Sequence, residues 1–181
     1  MIKREEYLKK IRPFMSKEIV KVLTGIRRCG KSVMLELIKE DLVSQGIKKE
    51  NLFSVNFETG AVSYVKSLEE TYEVVKEFAA KRKEKIYLFF DEIQELPHWE
   101  KLINSIMIDF DADIYITGSN AKMLSGELAT YLGGRYVEFK IYPFSFAEVL
   151  QMLPDKPEAE VFQTYLTKGA CPFCISFLLM R

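Results

Sequence analysis

The chain has 181 residues, 48% of them hydrophobic, which is enough for one α/β domain with a sizeable core. Its 26 lysines and arginines balance 26 aspartates and glutamates, so no overall field favours nucleic acid or an anionic membrane, although a local basic patch remains compatible with that balance. No apolar run approaches the ~18 residues that cross a bilayer, the first residues lack the apolar core of a signal peptide, and three cysteines make no disulfide framework; a cytoplasmic protein without membrane contact is expected.

Residues 4–15 predict a short amphipathic helix interrupted at Pro13, with Tyr7, Leu8 and Ile11 on the side that packs beside the first strand. That strand is predicted over residues 18–24, where the run is β-branched and apolar enough to be buried. It leads directly into Gly25-Ile26-Arg27-Arg28-Cys29-Gly30-Lys31-Ser32, which satisfies the phosphate-cradling pattern G-x-x-x-x-G-K-[ST] at every fixed position. A backbone that bends around a phosphate chain needs residues without a Cβ at its tight points, and Gly25 and Gly30 supply them. Lys31 adds a mobile charge for the outer phosphates, the Ser32 hydroxyl is placed to ligate Mg²⁺, and Val33 continues into a helix whose positive end faces the anion. Met34, Leu35, Ile38 and Leu42 recur at helical spacing, so this helix is predicted over 31–45 with Gly46 as its stop. A nucleoside triphosphate is therefore the expected ligand of Gly25, Ile26, Arg27, Arg28, Cys29, Gly30, Lys31, Ser32 and Val33.

A second strand is predicted at 52–57, and a helix at 68–83 that opens on the S-x-x-E spacing of Ser67 and Glu70. Lys81, Arg82, Lys83 and Lys85 then read as the solvated, dipole-complementing end of that helix. The uninterrupted apolar run 86–90 suits a parallel strand covered on both faces. A helix carrying Trp99, Leu102, Ile103, Ile106 and Phe110 follows, with His98 at its start, and then a short strand at 114–117. Asp109, Asp111 and Asp113 imitate a calcium loop, but Ile114 stands where that loop needs glycine, so a solvated helix end is expected instead. A helix at 127–132, a last strand at 136–141, and helices at 146–153 and 158–167 complete the pattern. Strands alternating with helices imply a βαβ architecture.

Phe90 is followed by Asp91 and Glu92, two carboxylates where a buried strand emerges at its C-terminal end, the place where open α/β sheets bind ligands. Asp91 is expected to hold Mg²⁺ and Glu92 to act as the base that activates water. Thr117-Gly118-Ser119-Asn120 leaves the next strand on the same edge. Asn120 is the first choice for orienting that water, with Ser119 and Thr117 as alternatives, against a plain strand-ending turn.

Together these segments, with Gly134-Arg135 and Tyr142-Pro143-Phe144-Ser145-Phe146, resemble the AAA+ superfamily of P-loop ATPases, and within it a prokaryotic family of predicted ATPases. The resemblance runs roughly from Tyr7 to Leu166. It implies ATP as ligand, Mg²⁺-dependent hydrolysis, and a three-layer α/β/α domain around a mainly parallel five-stranded sheet of order 5-1-4-3-2. It also puts Asn120 or Ser119 at a sensor position, and makes Arg135 a γ-phosphate arginine acting within the chain or across a subunit contact, or else a surface anchor beside the last strand. Residues 1–150 are then the ATPase core and 151–181 the start of a helical lid region. Family members continue well beyond this length, and Lys168 onward fits their pattern poorly, which implies a truncated or frame-shifted copy or a fragment. That apolar tail carries Cys171 and Cys174 at C-x-x-C spacing; a zinc site would need two more ligands, with only Cys29 and His98 left, so the tail is read as packing, self-association or aggregation surface. An ATPase is the first functional reading, and an ATP-binding switch or interaction module with little turnover the second. An unidentified protein partner is expected, and nucleic acid enters by family analogy alone.

Overall fold

The computed structural model describes residues 3–58, 67–118 and 132–168. Five strands, β1 (Val20–Thr24), β2 (Leu52–Asn56), β3 (Ile86–Asp91), β4 (Ala112–Gly118) and β5 (Tyr136–Lys140), form one sheet in the order β2-β3-β4-β1-β5, every neighbour parallel. This is the expected order, and the all-parallel pairing follows from the helices that carry the chain back between strands. The three inner strands are buried almost throughout, whereas the outer β2 and β5 are half-exposed, in keeping with the uninterrupted apolar run of the inner β3.

Side chains alternate between the two faces. Leu88, Phe90, Ile114 and Ile116 join Val75 of α3 (Leu68–Ala80) and Leu102, Ile103 and Ile106 of α4 (Trp99–Asp109). Tyr87, Phe89, Tyr115 and Leu23 join Leu8 and Ile11 of α1 (Glu5–Ile11) and Met34, Leu35 and Ile38 of α2 (Lys31–Ser44). Phe89 and Tyr115 stack across β3 and β4 with ring centroids 4.9 Å apart. A third, separate cluster holds Phe144, Val149, Leu153 and Val161, built by α5 (Phe146–Met152) and α6 (Glu158–Lys168). The expected division at residue 150 runs through α5.

Local chemistry explains the helix boundaries. Ser67 accepts a hydrogen bond from the Glu70 amide at the start of α3, and Ser145 with Glu148 forms a complete capping box at the start of α5. His98 stands at the N-cap of α4, as expected. At the end of α3 the Arg82 guanidinium lies 3.4 Å from the Phe78 ring centroid and donates to the Phe78 carbonyl, a cation closing a helix C-terminus.

One expectation is corrected. Asp109 and Asp111 do lie at the solvated end of α4, Asp111 paired with Lys85 at 2.6 Å, but Asp113 is fully buried. The strand β4 begins at Ala112, earlier than predicted, so Asp113 shares a face with Tyr115 and turns into the core. There it accepts from the Ser16 amide and the Tyr115 hydroxyl, both at 2.7 Å, and from the Lys21 ammonium.

Candidate functional site

Because all five strands are parallel, their C-terminal ends share one edge, and every predicted loop that leaves a strand there leaves on the same side. The glycine loop leaves β1 and enters α2. Gly25 has φ +152°, and a Cβ on it would stand 2.3 Å from the Ile141 carbonyl oxygen, so no other residue fits against the segment that follows β5. Gly30, at φ +97°, occupies the N-cap of α2 in the left-handed region and brings no side chain to cap the helix, leaving its positive end facing outward. Ile26, Arg27 and Arg28 are exposed, as are Ser32 and Val33 on the first turn of α2. Arg27 pairs with Glu58 beyond the end of β2. Cys29 is buried, and burial pushes its thiol up despite the Lys31 charge beside it, so it packs rather than reacts.

Lys31 is only 3% exposed. Its ammonium lies 3.3 Å from the carbonyls of Gly25 and Ile26 and 3.5 Å from Glu92 Oε1. The loop lysine and the second carboxylate therefore meet, although 61 positions separate Lys31 from Glu92 in sequence. Glu92 itself adopts φ +51°, an uncommon conformation for a residue with a Cβ, costing on the order of 1–3 kcal/mol. Gln94 Nε2 donates to Glu92 Oε2 at 2.6 Å and holds the carboxylate toward the lysine.

Asp91 is 5% exposed and held by neutral donors: Thr117 Oγ1 donates to its Oδ1 at 2.5 Å, and Asn56 Nδ2 to its Oδ2 at 2.9 Å. The register that pairs Phe90 with Ile116 sets Thr117 beside Asp91, and the same hydroxyl accepts from the Glu92 amide at 2.9 Å. Thr117, an alternative choice for orienting water, is thus fully buried as a support for the Asp91 carboxylate and the Glu92 backbone. Among the described residues no ammonium or guanidinium pairs with Asp91. A buried carboxylate without a cation partner is costly, and the cleft of about 240 Å³ that it lines with Ser32, Ser54 and Asn56 offers oxygen donors only. This donor set suits Mg²⁺, which prefers one or two carboxylates completed by water and substrate phosphates. Among the described residues no group of three His, Cys, Asp or Glu side chains forms a metal cage, so phosphate oxygens would have to complete the shell.

Asn120 and Ser119 lie outside the described residues, as do Cys171 and Cys174. Arg135 is not brought to this site. It is exposed just ahead of β5, at the opposite edge of the sheet, where its carbonyl accepts from the Val20 amide and its guanidinium donates to Asn104 at 3.0 Å. An action on its own chain's phosphate loop is thereby removed, because β5 runs its full length between them. Sequence reasoning missed Asn56 and Gln94. Asn56 ends the strand paired with β3, so an amide at that strand end was its one available signal.

A glycine loop feeding a helix, with an acidic strand end across one intervening strand, defines the three-layer P-loop nucleoside-triphosphate-binding fold. The chain matches the AAA domain family over residues 17–150 and belongs to it. An uncharacterized protein of Haemophilus influenzae is 47% identical over 150 residues, 83% of this chain and 38% of that protein, so the chain spans well under half of that relative. Similar solved folds include the Aeropyrum pernix ORC1 protein in complex with DNA, with a TM-score of 0.66 and 15% identity over 98% of this chain and 59% of that one. C. elegans PCH-2 has a TM-score of 0.63 and 14% identity over 96% of this chain and 57% of that one. At these identities the likeness is one of fold, and fold and family together point to nucleotide binding. No helix among the described residues is long and apolar enough to cross a membrane.

Proposed function

We propose that the chain is a Mg²⁺-dependent ATPase domain. The observation that carries this reading is the meeting of Lys31 with Glu92 at 3.5 Å beside a cleft lined by both Ser32 and Asp91. In it the loop amides and Lys31 bind the triphosphate, and Ser32 and Asp91 would hold a Mg²⁺ ion, which would supply positive charge against the triphosphate. Glu92 releases Lys31 to the phosphates and takes a proton from the attacking water. Thr117 keeps the Asp91 carboxylate and the Glu92 backbone in place, and Asn120 positions the water. Arg135, anchored on Asn104 ahead of β5, would meet a nucleotide only on a neighbouring subunit.

The test measures phosphate release and ATP affinity together. Replacing Glu92 by Gln lowers turnover by about 10²–10⁴-fold with ATP still bound. Lys31→Ala weakens ATP binding by on the order of 10–100-fold, the worth of hydrogen bonds from a charged donor. If wild type and Glu92→Gln release phosphate equally slowly while both bind ATP, the chain is an ATP-binding switch and not an enzyme. A nucleic-acid partner, suggested by the DNA in the ORC1 structure, requires salt-dependent binding of DNA or RNA by this chain.

A further inference from the structure

Arg4 stands ahead of α1, outside every motif, and is only 3% exposed. Its guanidinium reaches three separate pieces of the chain. Nε donates to Glu148 Oε1 at 2.7 Å and Nη2 to Oε2 at 3.3 Å, on the first turn of α5. Nη2 also donates to the Tyr142 carbonyl at 2.9 Å, in the connector between β5 and α5. Nη1 reaches the Cys29 carbonyl at 3.4 Å, inside the glycine loop and next to Gly30. The Tyr7 and Phe144 rings lie 4.5 and 5.1 Å from the guanidinium carbon, so α1 and the third core cluster enclose it.

The connector touches the loop a second time. Ile141 donates its amide to the Thr24 carbonyl at 2.7 Å, and its own carbonyl fills the space left by the missing Cβ of Gly25. The Tyr142 amide donates to the Tyr7 hydroxyl at 3.1 Å. Glu148 is at once the partner of Arg4 and the capping residue of α5, where it accepts from the Ser145 amide at 2.8 Å. Burial pushes its carboxyl up, but the bonds from Arg4 and Ser145 outweigh that and keep it below its ordinary value.

A buried guanidinium is expensive to leave partly unpaired, and its planar fork fits its acceptors in one geometry only. If the loop moves at Cys29, or α5 moves at Glu148, the other contacts must be lost or must follow. We infer that Arg4 is a positioning residue that sets the phosphate loop through the Cys29 carbonyl and ties it to α5 and the connector before it, so that nucleotide at the loop is felt in that helix. This rests on the nucleotide-binding reading above. The coupling needs a differential: nucleotide that favours one arrangement of the loop favours, through Arg4, the matching arrangement of α5.

Hydrogen exchange of the 181-residue chain, with and without MgATP, tests it. In wild type, MgATP is expected to slow exchange over residues 26–34 and also over 141–152. In Arg4→Gln the loop protection persists, protection over 141–152 falls to less than about half, and ATP binds about tenfold more weakly, the loss of one charged hydrogen bond. Glu148→Gln keeps the donor to the Cys29 carbonyl and is expected to lose the protection of 141–152 with affinity within about twofold of wild type. If Arg4→Gln does not fold, Arg4→Lys and Glu148→Gln carry the test, because a lysine keeps the charge without the fork. A purely structural Arg4 lowers the melting temperature but leaves the wild-type protection pattern, which overturns the inference. Protection confined to the loop in wild type overturns it too while sparing nucleotide binding, whereas protection of neither segment brings down the nucleotide reading and the inference with it.

Discussion

Two lysine–carboxylate pairs stand at opposite edges of the same sheet, Lys31 with Glu92 at the C-terminal edge and Lys21 with Asp113 near the N-terminal edge. The second is sealed. Both side chains are fully buried, the Lys21 ammonium also donates to the Lys17 carbonyl, and Asp113 takes further bonds from Ser16 and Tyr115. Burial lowers the Lys21 ammonium despite the attraction of Asp113, and burial with the nearby Asp113 charge raises the Tyr115 phenol far above its usual range, so it stays a donor. The first pair is loose. Lys31 and Glu92 are 3.5 Å apart, Glu92 carries an uncommon backbone conformation, and the Asp91 beside them pairs with no cation among the described residues. The same chemical pair is structural where both side chains are sealed in the core at close contact, and available for work where the contact is longer and the pair borders a cleft.

Unsealing the second pair should have the largest effect. Asp113→Ala leaves Lys21 buried and uncompensated, an expected loss of about 3–5 kcal/mol, read as a fall of about 10 °C in melting temperature. Replacing both members, Lys21→Met with Asp113→Leu, should recover most of that loss, because two apolar groups need no partners. Recovery by neither the double variant nor any fraction of it would mean that the network does more than satisfy itself.

A smaller effect separates support from chemistry at the open edge. Thr117→Val keeps the branched shape and deletes the hydroxyl between Asp91 and the Glu92 amide, at a cost of about 1–3 kcal/mol in stability. It should also raise the Mg²⁺ concentration needed for half-maximal ATP binding or turnover by about tenfold, since a group that orients a metal ligand governs affinity. An unchanged Mg²⁺ dependence would remove Thr117 from the site.

The smallest effect is on pH. Hydrogen bonds from Arg12 hold the Asp41 carboxyl below its ordinary value, and Arg4 with Ser145 does the same for Glu148 against the opposing effect of burial. A depressed carboxyl stabilises the fold above its unfolded pKa, and that contribution is lost as pH falls through the lower folded value. Unfolding free energy should therefore be level from neutrality to about pH 5 and decline below about pH 4, with Glu148→Gln flattening the decline. Growing stability on acidification would contradict it.

Much of the fold was legible because its elements are locally coherent. The central β3 is an apolar run, α2 and α4 carry their core residues at helical spacing, and Ser67 and Ser145 cap where they stand. The nucleotide loop was legible for a related reason: contact with a phosphate chain is made by one continuous stretch, so its glycines, lysine and serine must be adjacent in sequence. Asp91 and Glu92 were readable as a strand end, and fold topology alone brought them to the loop.

What the sequence by itself determined, then, is the set of elements and the chemistry of the glycine loop, because both depend on neighbours a few positions away. Tertiary structure decided the partners of isolated polar residues. Asp113 read as solvated and is buried because β4 starts earlier than its apolar run; Arg135 was left between a phosphate arginine and an anchor beside the last strand, and it stands at the far edge, on Asn104, because β5 starts there; Arg4 carried no signal and joins three segments. A buried charge is satisfied by whichever donors or acceptors the packed chain brings within about 3 Å, and no local pattern records which they will be.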